Sequence, residues 1–187
     1  MRRKTQILLI CALSVFNSHL SAHMLNMSDI SLNLNGADNS EMVLRIDLGQ
    51  SLMRAEDYWQ AANQKNGSQR TVPLQQAISK LRKDVVILTS GGRISLPEPE
   101  IIMRAASLDS IKNPLTPQMA ELTFELKMPE KIKSLEIRLS DKLDIPWPCL
   151  VRIDGATMNL PISRLITNSS RSSGVIDMVN DQKLLSN

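Results

Sequence analysis

The chain has 187 residues, with 22 Lys and Arg against 19 Asp and Glu, two cysteines, two histidines and only 3% aromatic residues. That length suits one domain. The near-balanced charge offers no general basic field for nucleic acid or an anionic membrane surface.

The first stretch reads as a secretory signal in three zones. Arg2, Arg3 and Lys4 are basic, Ile7 to Phe16 is apolar apart from Ser14, and Asn17 to Ala22 is a polar segment ending in a small residue. The apolar run is far shorter than the roughly 20 residues that cross a bilayer. Residues 1–22 are therefore expected to be removed between Ala22 and His23, placing the protein in the periplasm or outside the cell. Removal takes away three basic residues, Cys11 and His19. It leaves 19 residues of each charge, a single cysteine, Cys149, and a single histidine, His23. A lone histidine excludes His–His metal sites and any triad that needs an internal histidine. A single cysteine excludes an intramolecular disulfide. No transmembrane segment is expected in the mature chain.

Beyond the signal, Ile30, Leu32 and Leu34 alternate with polar residues, as do Met42, Leu44, Ile46 and Leu48, around a turn-rich loop at 35–40. This predicts a hairpin. Leu52, Ala55, Tyr58, Trp59 and Ala62 then share a helical face, broken at Asn66-Gly67-Ser68. Pro73 opens a second helix carrying Leu74, Ala77, Ile78 and Leu81, with a solvated basic end at Lys80, Arg82 and Lys83. A second hairpin is predicted from Val85–Thr89 and Arg93–Leu96 across Gly91-Gly92, then a strand at Glu100–Ala105 and a loop at 106–118. Leu122, Phe124 and Leu126 mark the clearest half-buried strand, and Leu135, Ile137 and Leu139 mark another. Leu150–Ile153 and Thr157–Leu160 predict a last hairpin. The pattern indicates a mainly β domain over residues 23–167. The expected form is an antiparallel β-sandwich, immunoglobulin-like in general form, with a short helical insertion after the second strand. Residues 168–187, opening on the linker-like Asn168-Ser169-Ser170-Arg171-Ser172-Ser173-Gly174, are expected to form a flexible C-terminal tail.

The sharpest constellation lies at the expected new amino terminus, His23-Met24-Leu25-Asn26-Met27. A terminal histidine offers its α-amine and imidazole to one ion. Met24 and Met27 add soft thioethers, which suit copper in its Cu(I) form or another soft metal. Against this, almost any residue can follow a cleavage site. Tyr58-Trp59 reads either as a partner-binding surface or as the packing face of its helix. Cys149 reads as a buried small hydrophobe or as a reactive thiol. Glu56-Asp57 and Glu98/Glu100 lack neighbouring acid–base partners, and phosphate loops, nucleophile elbows and Cys-pair knuckles are absent. The expectation is a non-enzymatic protein.

Three features, Ala22-His23 after the signal, Pro129 to Leu139 in the form Pro-x-x-Ile-x-Ser-Leu-x-Ile-x-Leu, and the strand Val151-Arg152-Ile153, together with the element order, give a layout over residues 22–167. This layout resembles the extracytoplasmic N-terminal domain of HupE/UreJ-like membrane proteins, which are proposed metal permeases. Those proteins continue into transmembrane helices, whereas this sequence ends at Asn187 on a polar segment. The resemblance thus implies a stand-alone soluble version that does not itself transport. It would bind or hand over a metal, or dock on an envelope or inner-membrane protein. The leading expectation is a binding or accessory module. The alternative is a structural or assembly protein of the cell envelope acting through protein–protein contacts.

Overall fold

A computed structural model describes residues 27–64, 71–104, 106–155 and 161–178. The predicted hairpin forms from β1 (Ser28–Leu34) and β2 (Ser40–Asp47). Its alternation places Ile30, Leu32, Met42, Leu44 and Ile46 in the core and leaves Asp29, Ser31 and Arg45 facing outward. The strands that follow are β3 (Val85–Thr89), β4 (Gly92–Ile94), β5 (Glu100–Ile102), β6 (Met119–Leu126), β7 (Ser134–Leu139), β8 (Cys149–Gly155), β9 (Ile162–Ile166) and β10 (Ile176–Asp177). They make two sheets, a six-stranded one in the order β5-β6-β2-β1-β8-β9 and a four-stranded one in the order β10-β7-β3-β4. The chain is mainly β. Aliphatic side chains fill most of the core, joined by the two fully buried aromatic rings of Phe124 and Tyr58.

All pairings are antiparallel except β1 with β8, which run parallel in register from Ser28 opposite Cys149 to Leu34 opposite Gly155. This departs from the all-antiparallel expectation. Turn-joined neighbours must be antiparallel, but β1 and β8 lie far apart in sequence and no hairpin constrains their direction. The parallel register still carries Val151 and Ile153 into the core beside Ile30 and Leu32.

The helical insertion after β2 is present as α1 (Leu48–Ser51), α2 (Ala55–Ala62) and α3 (Val72–Asp84). In α3 the Thr71 hydroxyl accepts from the Leu74 N–H, Pro73 sits near the start, and Leu74, Ala77, Ile78 and Leu81 are buried. The basic end is paired rather than merely solvated. Lys80 Nζ lies 2.6 Å from Asp84, and Arg82 lies 2.6 Å from Glu98. A further short helix, α4 (Leu108–Lys112), occupies the predicted loop at 106–118. It is capped by Ser107 and pinned by the fully buried Ile111. Five residues are too few to show a helical period. Among the described residues no helix is long and apolar enough to cross a membrane.

β8 pairs with β9, and the strand expected at 157–160 lies outside the described residues. One expectation near the C-terminus changes. The flexible tail expected from residue 168 is instead held on β7 as far as Met178. Ser173 exchanges hydrogen bonds with Ile137, Ile176 pairs with Leu135 and is buried, and the Met178 N–H donates to Lys133 O. The Ser173 hydroxyl takes the place of a ladder acceptor here, and one isoleucine supplies the apolar anchor. Neither signal stands out in a serine-rich stretch. Residues 179–187 lie outside the described residues.

Candidate functional site

The helical insertion meets the six-stranded sheet where β2 ends and β6 begins. Asp47, the last residue of β2, links them. Its side chain caps α1, with Oδ1 accepting from the Gln50 N–H at 3.0 Å, while Oδ2 accepts from the Gln118 N–H at 2.9 Å. The residue is only 2% exposed. Burial pushes its carboxyl above the usual aspartate range, outweighing the backbone N–H groups of Gln118, Gln50 and Gly49 that favour the charged form.

A cavity of about 210 Å³ opens beside this carboxylate. Asp144, Gln50 and Ser51 supply the rest of its polar lining, and Pro117, Ile145 and Pro146 supply apolar wall. Gln50 Nε2 donates to Asn113 O at 3.0 Å and to Ile111 O at 3.4 Å, and the Ser51 hydroxyl donates to Asp47 O. Neither Asp47 nor Asp144 has a Lys or Arg within ion-pair distance among the described residues. Ser51 also lines a wider depression of about 400 Å³, where Leu52, Met53 and Pro73 lie beside the charged Arg54, Asp57 and Lys80.

No family model matches the chain, and no curated protein matches it.

The residues singled out in the sequence fall in different places. Ala22, His23 and Met24 lie outside the described residues. Met27 is described, is half-buried, and immediately precedes β1. The β1–β2 register pairs Asp29 with Arg45. The Ser28 hydroxyl, at the first residue of β1, donates to the carbonyl of the cavity-lining Pro146 at 3.1 Å, so β1 starts beside the cavity wall. Asp47 pairs with Met119 on β6.

Tyr58 and Trp59 part company. Tyr58 is fully buried, and its hydroxyl donates to Arg104 O at 3.4 Å. This corrects its reading as a partner-binding residue, since adjacent helix positions point about 100° apart and only one can face the core. Trp59 is 42% exposed. Cys149 is a fully buried free thiol at the start of β8. Burial, with a smaller contribution from the charge of Asp29, pushes it up to about 12. Glu56 is paired with Lys112 at 2.8 Å, and that contact holds its carboxyl below the usual range. No group of three or more His, Cys, Asp or Glu able to hold a metal occurs among the described residues.

Asp47, Gln50 and Asp144 were missed at the level of sequence. Asp47 carried one legible signal, since it is an N-cap residue type standing just ahead of a helical pattern. Nothing local announces that residues 47, 118 and 144 converge.

Proposed function

We propose that this protein is a non-enzymatic binding or accessory module of the periplasm or extracellular space, exported by residues 1–22. Its two sheets would form a β-sandwich, immunoglobulin-like in general form, with the helical insertion at one end. The observation that carries this reading is the cavity at that end. Two carboxylates, one of them buried, line it with no Lys or Arg in ion-pair distance among the described residues, and its wall residue Pro146 accepts from Ser28 at the start of β1. Such an arrangement suits holding a ligand or a partner.

In the metal-handling version, His23 contributes its α-amine and imidazole, and Met24 and Met27 contribute thioethers, to Cu(I) or another soft metal. Kinship with the HupE/UreJ-like extracytoplasmic domains fits this version. The chain beginning at His23 is then expected to bind Cu(I), and the same chain with one extra residue before His23 to bind it far more weakly. Equal affinity of the two forms overturns the metal site.

The exposure of Trp59 favours a second reading, a structural or assembly protein of the cell envelope that grips an envelope or inner-membrane partner through this helix. A purified partner whose binding survives His23→Ala and is lost in Trp59→Ala supports that reading over the first.

A further inference from the structure

We propose that the cavity between Asp47 and Asp144 is a binding site for an alkyl cation bearing N–H donors, an alkylguanidinium or alkylammonium group such as the end of an arginine or lysine side chain. This deepens the binding-module reading and rests on it.

The hydrogen-bond inventory of the lining leads there. The Asp47 carboxylate accepts the Gln50 N–H on Oδ1 and the Gln118 N–H on Oδ2, with the Gly49 N–H also turned towards it, and with about four lone-pair sites it keeps capacity for a further donor. The Gln50 amide nitrogen is turned onto two backbone carbonyls, of Ile111 and Asn113. A carbonyl accepts nothing from another oxygen, so those partners fix the amide orientation and leave its own oxygen as the free group. The Ser51 hydroxyl has spent its proton on the Asp47 carbonyl. Asp144 is a carboxylate on the exposed side of the cavity. The side-chain polar groups lining the cavity therefore offer acceptors only. A guanidinium or an ammonium is the complement, since both carry donors and no acceptor.

Size and walls agree with this. The volume of about 210 Å³ equals about seven waters at about 30 Å³ each. That admits a guanidinium and part of its stem. Pro117, Ile145 and Pro146 give the stem an apolar surface. A donor-bearing cation would also relieve the desolvation of the Asp47 carboxylate, which no Lys or Arg of the described residues relieves.

The test uses the whole chain beginning at His23, followed by amide NMR during titration with butylguanidinium, butylammonium and butyltrimethylammonium. The last has the charge but no N–H donor. The expected result is saturable shifts at Gln50, Ser51 and Gln118 with the first two probes and none with the third. Asp144→Asn should weaken binding about tenfold, and Asp38→Asn, in the turn at the opposite end of the β1–β2 hairpin, should leave it unchanged. Thermal unfolding of Asp144→Asn is checked first, and Ser51→Ala serves as a second lining variant. A Gly-Gly-Arg-Gly-Gly peptide that binds more tightly than butylguanidinium assigns the cation to a polypeptide. Equal affinity assigns it to a free small molecule.

Three outcomes overturn the site. They are equal binding of the quaternary probe, displacement of butylguanidinium by Ca²⁺ acting on the same amides, and the absence of saturable shifts in the folded protein. None of these bears on Cu(I) binding at His23 or on partner capture through Trp59, so the failure of this site and of the wider reading are separately visible.

Discussion

Arg171 lays its guanidinium 4.4 Å from the centroid of the Trp147 ring. The same group donates through Nη1 to the carbonyls of Leu143 at 2.9 Å and Ser140 at 3.3 Å, and through Nε to Asn168 O at 3.0 Å. Arg171 does this from a left-handed backbone conformation, φ 50°, which a β-branched or bulky residue adopts only when its surroundings hold it there. One side chain thus fastens the C-terminal segment to the loop before β8. Arg171→Ala is expected to cost about 2–3 kcal/mol, as several charge-assisted hydrogen bonds and the ring contact are lost together. Arg171→Lys should recover less than half, because an ammonium has no planar fork to span several carbonyls. Urea midpoints of the three proteins check this. A lysine variant as stable as the wild type refutes it.

Tyr58 and Trp59 separate core from surface within two consecutive residues. Tyr58→Ala should cost about 3–5 kcal/mol, as for any large core aromatic. Tyr58→Phe should cost under about 1 kcal/mol, since its hydrogen bond to Arg104 O is long at 3.4 Å. Trp59→Ala should stay within about 0.5 kcal/mol of the wild type. Tyr58 is also the only tyrosine in the chain, so the phenolate absorbance reports it alone. Burial pushes its hydroxyl up to about 12 from the ordinary tyrosine value of 10.0. A raised value in the folded state means that the stability it contributes is complete below 10 and is lost as pH rises through about 12. A titration centred near 10 in the folded protein contradicts its burial.

What was legible in the sequence follows the physics of each signal. Alternation in β1, β2, β6 and β7 and the helical spacing of α3 repeat over several residues. The period itself reveals the face that is buried, and those elements stand where they were expected. Features made by one residue meeting a distant one carry no period. Asp47 bonds to Gln118, 71 positions away. Ser172 and Ile176 dock a segment that reads as a linker, and the parallel partner of β1 lies more than a hundred residues on. The cavity joins the local cap of Asp47 on Gln50 to contacts of this second kind, which bring Pro117 and the 144–146 segment to it. It stayed hidden while the strands beneath it did not.

Asp47 also sets a pH dependence. Its carboxyl is held above the ordinary value of 3.8, chiefly by burial. A carboxyl whose folded value is raised stabilises the fold fully below the unfolded value, and that contribution fades as pH rises through the folded one. Asp47→Asn removes the titration. It also loses one acceptor of the pair that holds Gln50 and Gln118, at a cost of about 1–2 kcal/mol. The wild type should therefore exceed the variant most in acid, and the gap should narrow as pH rises from about 3 towards neutrality. Denaturation curves of the two proteins across that range give the gap directly, since titrations common to both cancel. A gap that does not change with pH excludes the raised carboxyl.

Cys149 offers a probe of the β1–β8 pair. Its thiol is fully buried and pushed up to about 12. Almost no thiolate exists near neutral pH, and the sulfur is shielded as well. The chain beginning at His23, which carries no other cysteine, should resist an aromatic disulfide reagent while folded and release one equivalent of thiolate once denatured. Cys149→Ser, which buries a hydroxyl at that position, should cost about 1–3 kcal/mol. Rapid labelling under native conditions shows the pair to be open.

Gly49 lies in α1 between Asp47 and the cavity residues Gln50 and Ser51. A Cβ there would stand 2.8 Å from Ile111 Cγ2 and 3.3 Å from both Cβ and Cγ of Tyr58. Ile111 is β-branched, fully buried and stiff at χ1, and the Tyr58 atoms lie at the root of a core side chain, so neither neighbour yields freely. Gly49→Ala should therefore cost about 1–3 kcal/mol by overpacking, despite the better helix propensity of alanine. The cause is separable from a general intolerance of α1. Ile111→Ala removes the methyl group that the new Cβ strikes. Although it costs about 2–5 kcal/mol alone, it should make the second substitution nearly free. The double-mutant cycle is expected to show a favourable coupling of about 1 kcal/mol or more. Strict additivity means that α1 does not rest on α4 through this contact, and that the walls of the cavity are set by something else.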